Sequence, residues 1–178
     1  QCFRELDGDA NDANDELFLL SLNHFKAKSG SGTGPDADQG DGQGIFNYSR
    51  TQEALSVINQ YGSVSSATQE PDILIMGDLN AYAMEDPIMT LTSAGMIDLH
   101  RAFHADSSYS YVCGGKAGYL DHALSNNTLF PQITGMAAYH LNSDESDEYT
   151  YDKSDDRTMF RYSDHDPILV GLALDKPL

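Results

Sequence analysis

The stretch Tyr162-Ser163-Asp164-His165-Asp166-Pro167, running into Ile168-Leu169-Val170-Gly171-Leu172, sets two carboxylates and an imidazole directly before an apolar, strand-length segment. Ligand sites of layered folds collect at such sheet edges, so the run marks a candidate reaction centre. In a fully extended backbone Asp164 and Asp166 would share one face and His165 the other, so all three converge only if the chain turns there. Pro167 favours a turn, because it restricts Asp166 and opens the strand that follows. A polar loop would satisfy the same pattern, and other segments must decide.

Working outward, three more apolar segments end in polar groups of similar chemistry. Leu17 to Leu22 is a short apolar run that delivers Asn23-His24, with Lys26 and Lys28 just beyond as a local positive spot. Pro71-Asp72-Ile73-Leu74-Ile75-Met76 is continuous enough to be buried on both faces, and it ends in Gly77-Asp78-Leu79-Asn80-Ala81-Tyr82. Tyr119 to Leu124 reads as a strand carrying Asp121-His122, paired in a hairpin with Tyr109 to Val112 around Gly114-Gly115. A helix is expected over Asn47 to Tyr61, capped by Asn47 or Ser49, with Leu55, Ile58 and Tyr61 on its packed face and Gly62 at its end. A shorter helix begins at Glu85-Asp86-Pro87 and stops before Gly95, and Ile133 to Leu141 is a further strand.

Two loops stand apart. Asp7 to Glu16 repeats oxygen ligands at every second or third position, so Asp7, Asp9, Asn11 and Asp15 could wrap calcium, although Asp12 and Phe18 replace the Gly and Glu that an EF-hand loop needs. Residues 29–44 form a Gly/Asp-rich loop without an apolar anchor, expected to be mobile or ordered by a ligand; it lacks the Lys-Ser/Thr ending of a nucleotide-binding loop. Residues 142–156 are a strongly acidic excursion.

The whole chain, 178 residues, is one domain's worth of sequence, able to bury roughly 70% of its unfolded surface. It starts at Gln1, as a processed product or a piece of a longer protein would. No apolar run approaches the roughly 20 residues of a membrane span, so a soluble chain without a membrane partner is expected. With 28 acidic against 10 basic residues the net charge of -18 repels nucleic acid and anionic lipid, and phosphate contacts then call for metal ions. The acidic, Asn/Ser/Gly-rich composition suits a secreted protein. Cys2 and Cys113 permit one disulfide and are too few for a zinc-cysteine site.

In order and spacing, Asn23-His24, Gly77-Asp78-Leu79-Asn80-Ala81-Tyr82, Tyr119-Leu120-Asp121-His122 and Ser163-Asp164-His165-Asp166-Pro167 resemble the second half of the endonuclease/exonuclease/phosphatase superfamily, the deoxyribonuclease-I-like proteins. The resemblance covers roughly Leu17 to Leu174 and is nearest to bacterial secreted extracellular nucleases, whose glycine-rich loop Asp38 to Gly44 also resembles. It implies an α+β class fold, a four-layered α/β/β/α sandwich of which residues 1–178 supply about half, and metal-dependent hydrolysis of phosphodiester bonds of extracellular DNA. Carried onto this chain, His165 would be the catalytic histidine oriented by Asp121, and Asp164 a metal ligand. Asp78 would hold the attacking water or a metal, and Asn80 would hydrogen-bond the scissile phosphate. His24 would stabilise the developing charge or assist the leaving group, with Lys26 and Lys28 as phosphate contacts.

The implied cofactor is Mg2+ or Mn2+, with Ca2+ as a further ion. Superfamily members also take an Asn and a metal-binding Glu from two early strands that have no counterpart before Leu17. Two readings therefore follow. In one, an N-terminal half on another chain, or lost by processing, completes a nuclease with DNA as substrate. In the other, a processed fragment is a calcium-stabilised extracellular structural module that self-associates through its sheet edges.

Overall fold

The computed structural model describes residues 1–5, 15–105, 107–146 and 161–174. Its frame is a five-stranded sheet. Strand β1 (Cys2–Arg4) is antiparallel to β2 (Leu17–His24), and β2 is parallel to β3 (Ile73–Asp78). On the other side of β3 run β7 (Asp121–Ser125) and then β4 (Ile97–Asp98), both pairs antiparallel. Because β2 and β3 point the same way and β7 the opposite way, the ends of the first two and the start of the third share one edge. The register is consistent with that: His24 lies opposite Asp78, and Asp78 opposite Asp121.

The continuous apolar run of β3 is buried on both faces, as its sequence requires. Ile73 and Ile75 pack with Ala54 and Val57 of α1 (Asn47–Thr68) and with Ile88 and Leu91 of α2 (Asp86–Ser93). Leu74 faces the opposite side, with Ala123, Leu99 of α3 (Leu99–His104), and Ile133 and Met136 of β8 (Ile133–Ala138). Strand β8 pairs antiparallel with β9 (Ile168–Leu172) in a separate two-stranded sheet that covers this face. Each buried Ile or Leu here contributes roughly 1.5–3 kcal/mol. The order helix, sheet, sheet follows the expected sandwich; an outer helical layer over β8 and β9 is not among the described residues.

Several local expectations need correction. Helix α1 runs past Gly62 to Thr68, because one glycine costs only about 1 kcal/mol and no breaker follows it before Thr68. Its buried side is Arg50, Ala54 and Val57, with Ile58 and Tyr61 partly covered, while Leu55 is exposed. Neither Asn47 nor Ser49 caps it. Phe46 occupies the cap position in the left-handed region, and Asp36 supplies the acceptors: Ser49 N–H donates to Oδ1 at 2.9 Å and Ser49 Oγ to Oδ2 at 2.7 Å. A carboxylate there also meets the positive end of the helix dipole.

The Gly/Asp-rich loop is accordingly anchored by the protein itself. Asp36 belongs to a short 3-10 turn, and the buried guanidinium of Arg50 donates to the carbonyls of Ile45 at 2.9 Å and Gln43 at 3.2 Å. The Gly114-Gly115 turn, with both φ angles positive, joins β5 (Tyr111–Cys113) to β6 (Lys116–Gly118). The hairpin therefore ends at Gly118, and the following residues leave it to form β7 in the main sheet. Cys2 and Cys113 are separate, exposed thiols, so no disulfide joins them. Asp7, Asp9 and Asn11 lie outside the described residues; Asp15 faces Arg4 Nε at 3.9 Å. Among the described residues no helix is long and apolar enough to cross a membrane.

Candidate active site

The edge where β2 and β3 end and β7 begins opens into a cleft of about 490 Å³ lined by His24, Lys28, Asp78, Asn80, Asp164 and His165, among others. Segments far apart in sequence thus bring most of the residues singled out above to one place. Asp121 lies just beneath, with its carboxylate as a hub. Oδ2 is 2.7 Å from His165 Nδ1 and accepts a hydrogen bond from Ser110 Oγ at 2.7 Å. That contact fixes the tautomer: Nδ1 carries the hydrogen toward Asp121, and Nε2 remains for a ligand in the cleft. Burial alone pushes the His165 imidazole down, but its bond to Asp121 and the charges of Asp121, Asp78 and Asp164 outweigh that, and its pKa is raised.

Asp78 is held from the other side. Its Oδ1 accepts the Asn80 backbone N–H at 2.8 Å and its Oδ2 the Asn80 side-chain amide at 3.0 Å, with His24 Nε2 at 3.5 Å. The same amide donates to Phe25 O at 3.1 Å, so both Asn80 side-chain hydrogens are committed. In this geometry Asn80 locks the Asp78 carboxylate, and a phosphate would meet its Nδ2 only after one of those bonds is exchanged. Burial raises the Asp78 pKa, with the Asn80 bond opposing it and the charge of Asp121 adding to it.

The bend that aims these groups depends on Gly77. Its φ is +134°, and a Cβ there would lie 1.9 Å from Asn23 O on the neighbouring strand. Only glycine allows the two strands to approach so closely beside the cleft.

The two aspartates flanking His165 divide their roles. Asp164 lines the cleft. Asp166 is buried and turned away, accepting from the backbone N–H groups of Leu141 at 3.1 Å, Asn142 at 2.9 Å and Ser143 at 2.9 Å, from the Ser143 hydroxyl, and from His140 Nδ1 at 2.8 Å. Burial would raise its pKa, yet these donors win and hold it below the usual carboxylate range. The backbone does turn at the run, and it is Asp166 that the turn buries.

The lysines are less available than their sequence suggests. Lys28 Nζ pairs with Glu85 Oε1 and stands 5.0 Å over the Tyr82 ring, while exposed Lys26 sits 4.5 Å over Phe46, away from the cleft residues. Desolvation lowers the Lys28 pKa. The cleft is consequently acidic, and a phosphodiester entering it needs a counter-cation.

The oxygen and nitrogen donors fit one. Asp78, Asp121 and His165 each place a ligand atom so that all three lie within 4.8 Å of one another. Asp121 Oδ2 and His165 Nδ1 are already bonded to each other and both Asp78 oxygens accept from Asn80, so a cation would draw on the remaining lone pairs of these two carboxylates, with Asp164 in the same cleft outside that cluster. One or two carboxylates completed by water and phosphate oxygens is the usual provision for Mg2+.

Sequence reasoning passed over Ser110 and Tyr111. Ser110 is fully buried, and Tyr111 packs its ring 4.8 Å from that of His165 and forms a β-bridge to it. Both precede a predicted turn, where nothing in the local pattern signals a site. His122, adjacent to Asp121, faces away: it is fully buried with Nε2 2.8 Å from Ala81 O.

No protein-family profile matches the chain, and no curated protein matches it by sequence. Solved structures do. A mannosyl-6-phosphatase of Bacteroides thetaiotaomicron superposes with a TM-score of 0.59 at 12% identity, over 90% of this chain and 53% of that one. An AP endonuclease from Archaeoglobus fulgidus gives 0.56 at 12%, over 93% and 67%, and a 3' phosphatase from Neisseria bound to a product DNA hairpin gives 0.56 at 12%, over 97% and 70%. An endonuclease/exonuclease/phosphatase family protein from Bacteroides thetaiotaomicron gives 0.56 at 12%, over 88% and 51%. The fold is therefore that of the endonuclease/exonuclease/phosphatase proteins, and the chain spans about half the length of the two Bacteroides structures it matches.

Proposed function

We propose that this chain carries the histidine side of a divalent-metal-dependent phosphodiesterase, a secreted bacterial nuclease that hydrolyses extracellular DNA. The carrying observation is the Ser110–Asp121–His165 relay facing Asp78 across one cleft at a shared sheet edge. Water attacks phosphorus, the bond from phosphorus to the leaving oxygen breaks, and His165 Nε2 takes the proton released by the water. Asp121 stabilises the imidazolium so formed, and Ser110 keeps the Asp121 carboxylate in place. In this reading His24, which lines the cleft, stabilises the developing charge or assists the leaving oxygen. A bound Mg2+ or Mn2+ would neutralise phosphate charge, which the acidic cleft does not do by itself. Fold likeness to a DNA-bound 3' phosphatase and an AP endonuclease supports a DNA substrate.

In this reading a further segment of the same fold, on another chain or removed by processing, completes the second sheet and adds the remaining metal ligand. A second reading is favoured by the two-stranded β8–β9 sheet, whose edges are unpaired among the described residues and which exposes Leu169. There the chain is a non-catalytic module that associates through those edges.

The deciding experiment is hydrolysis of DNA by the purified chain with Mg2+, Mn2+, Ca2+ or chelator, beside His165→Ala, with intact mass recording every polypeptide present. Cation-dependent cleavage that falls about 10²- to 10⁴-fold in the variant is the expected result. Absence of cleavage from the pure 178-residue species with every cation would defeat the idea that this chain alone is an enzyme.

A further inference from the structure

A second groove, of about 290 Å³, adjoins the cleft and shares Tyr82 with it. Its floor is Tyr119, and its sides include Met84, Arg101, Ala117 and Gly118. The floor is fixed: Tyr119 Oη donates to Asp98 Oδ2 at 2.9 Å, and its ring stacks on His100 at 4.0 Å. Asp98 also caps α3 by accepting from His100 N at 2.9 Å, so the helix that carries Arg101 is tied to the same floor. Tyr82 is held between the two spaces. Lys28 Nζ stands over its ring on the cleft side, and its edge lies where a Cβ on Gly118 would come within 2.8 Å.

The chemistry of the groove differs from that of the cleft. Tyr82 and Met84 are exposed, offering a flat ring and a thioether. Arg101 is also exposed, its guanidinium donates to Met84 Sδ at 3.7 Å, and it makes no ion pair among the described residues. In a chain with 10 basic residues against 28 acidic ones, an exposed guanidinium beside an aromatic ring is a local site of positive charge on an otherwise acidic surface. A ring wall for a base and a five-donor fork for a phosphate are together what a nucleotide presents.

Resting on the proposed phosphodiesterase reading, we infer that this groove is the subsite for the nucleotide flanking the scissile phosphate on single-stranded DNA, its base against Tyr82 and Met84 and its outer phosphate on Arg101. Filling both spaces at once takes a ligand that extends beyond one phosphate ester, so the groove favours an oligonucleotide over a lone phosphate ester. The fixed floor means little ordering is needed on binding.

The test is equilibrium binding of a fluorescent single-stranded oligothymidylate to the purified chain and to Arg101→Gln, measured by anisotropy at several salt concentrations in Ca2+. Arg101 is exposed, so an unchanged thermal midpoint will show that the variant is folded. The expected result is about tenfold weaker binding by the variant. The slope of log affinity against log salt should also flatten by roughly 0.7, the signature of one lost phosphate contact on a single strand. Tyr82→Ala should weaken binding by a comparable factor without changing that slope, because stacking releases no counterion. Equal affinity and slope for the chain and Arg101→Gln overturns the subsite, as does failure of the unaltered chain to bind the oligonucleotide. Binding with the expected losses but no hydrolysis would leave the subsite standing and remove the catalytic reading, so the two fail separately.

Discussion

Lowering the pH should destabilise this protein through His122, by an amount the structure sets. The imidazole is fully buried; Nε2 faces Ala81 O at 2.8 Å and must carry the hydrogen, while Nδ1 is buried with no partner among the described residues. Protonating Nδ1 would place a charge with no acceptor in the core, and burial accordingly pushes the pKa from 6.5 down to about 4. A depressed histidine contributes stability that is whole above 6.5 and is lost as the pH falls through the folded value. That shift corresponds to about 3 kcal/mol in all, of which ~2 kcal/mol is spent between neutrality and about pH 5. Urea unfolding near pH 7 and near pH 5 measures it, with His122→Gln as reference, since glutamine can still donate to Ala81 O and does not titrate. His165, whose pKa is raised, contributes in the opposite sense, yet it is present in both proteins and cancels from the comparison. The expected result is a pH-dependent loss about 2 kcal/mol larger in the unaltered chain. Parallel pH profiles for the two proteins would refute the claim that His122 is held neutral.

Asp121→Asn removes the charge that holds the His165 pKa up, so the acid limb of the rate profile should move to lower pH while the maximal rate falls; a stationary limb would show that His165 is not the titrating group. Gly77→Ala forces a Cβ into the 1.9 Å approach of Asn23 O, and a loss on the order of 3 kcal/mol or more is expected in thermal unfolding, with the cleft residues displaced. Asp36→Ala deletes the acceptor for Ser49 at the start of α1 and should cost about 1 kcal/mol, read as a lower unfolding midpoint. Asp166→Ala leaves the donors of Leu141, Asn142 and Ser143 without an acceptor and should cost more than the helix-cap change, by about 3 kcal/mol in chemical denaturation.

The fold was legible where burial dictates residue type over a whole segment. Ile73-Leu74-Ile75-Met76 reads as a strand covered on both faces because both faces need apolar groups, and packing of Ile75 against α1 and of Leu74 against β8 is the result. His24, Asp78, Asp121 and His165 were legible as polar residues at strand ends. Their alignment in one row was not, because pairing register is a property of two strands and not of either alone. The same limit hid Ser110, which matters only through Asp121, and Asp166, whose burial depends on a loop some 25 residues earlier. Helix α1 passed its glycine because a single glycine is a small local cost and not a stop. Tyr119 was drawn into the hairpin because a strand's sequence does not say which partner it takes; Gly118 ends one pairing and β7 begins another.

The row of His24, Asp78 and Asp121 spans nearly a hundred residues of chain, and His165 joins it from still further along. Loops of that size close late, after their entropy has been met by contacts throughout the sheet. No fragment of the polypeptide that lacks β2, β3, β7 or the segment before β9 holds the set together. The geometry of the cleft is therefore absent from the nascent and the partly folded chain, and the His165–Asp121 contact doubles as a marker for the completion of folding.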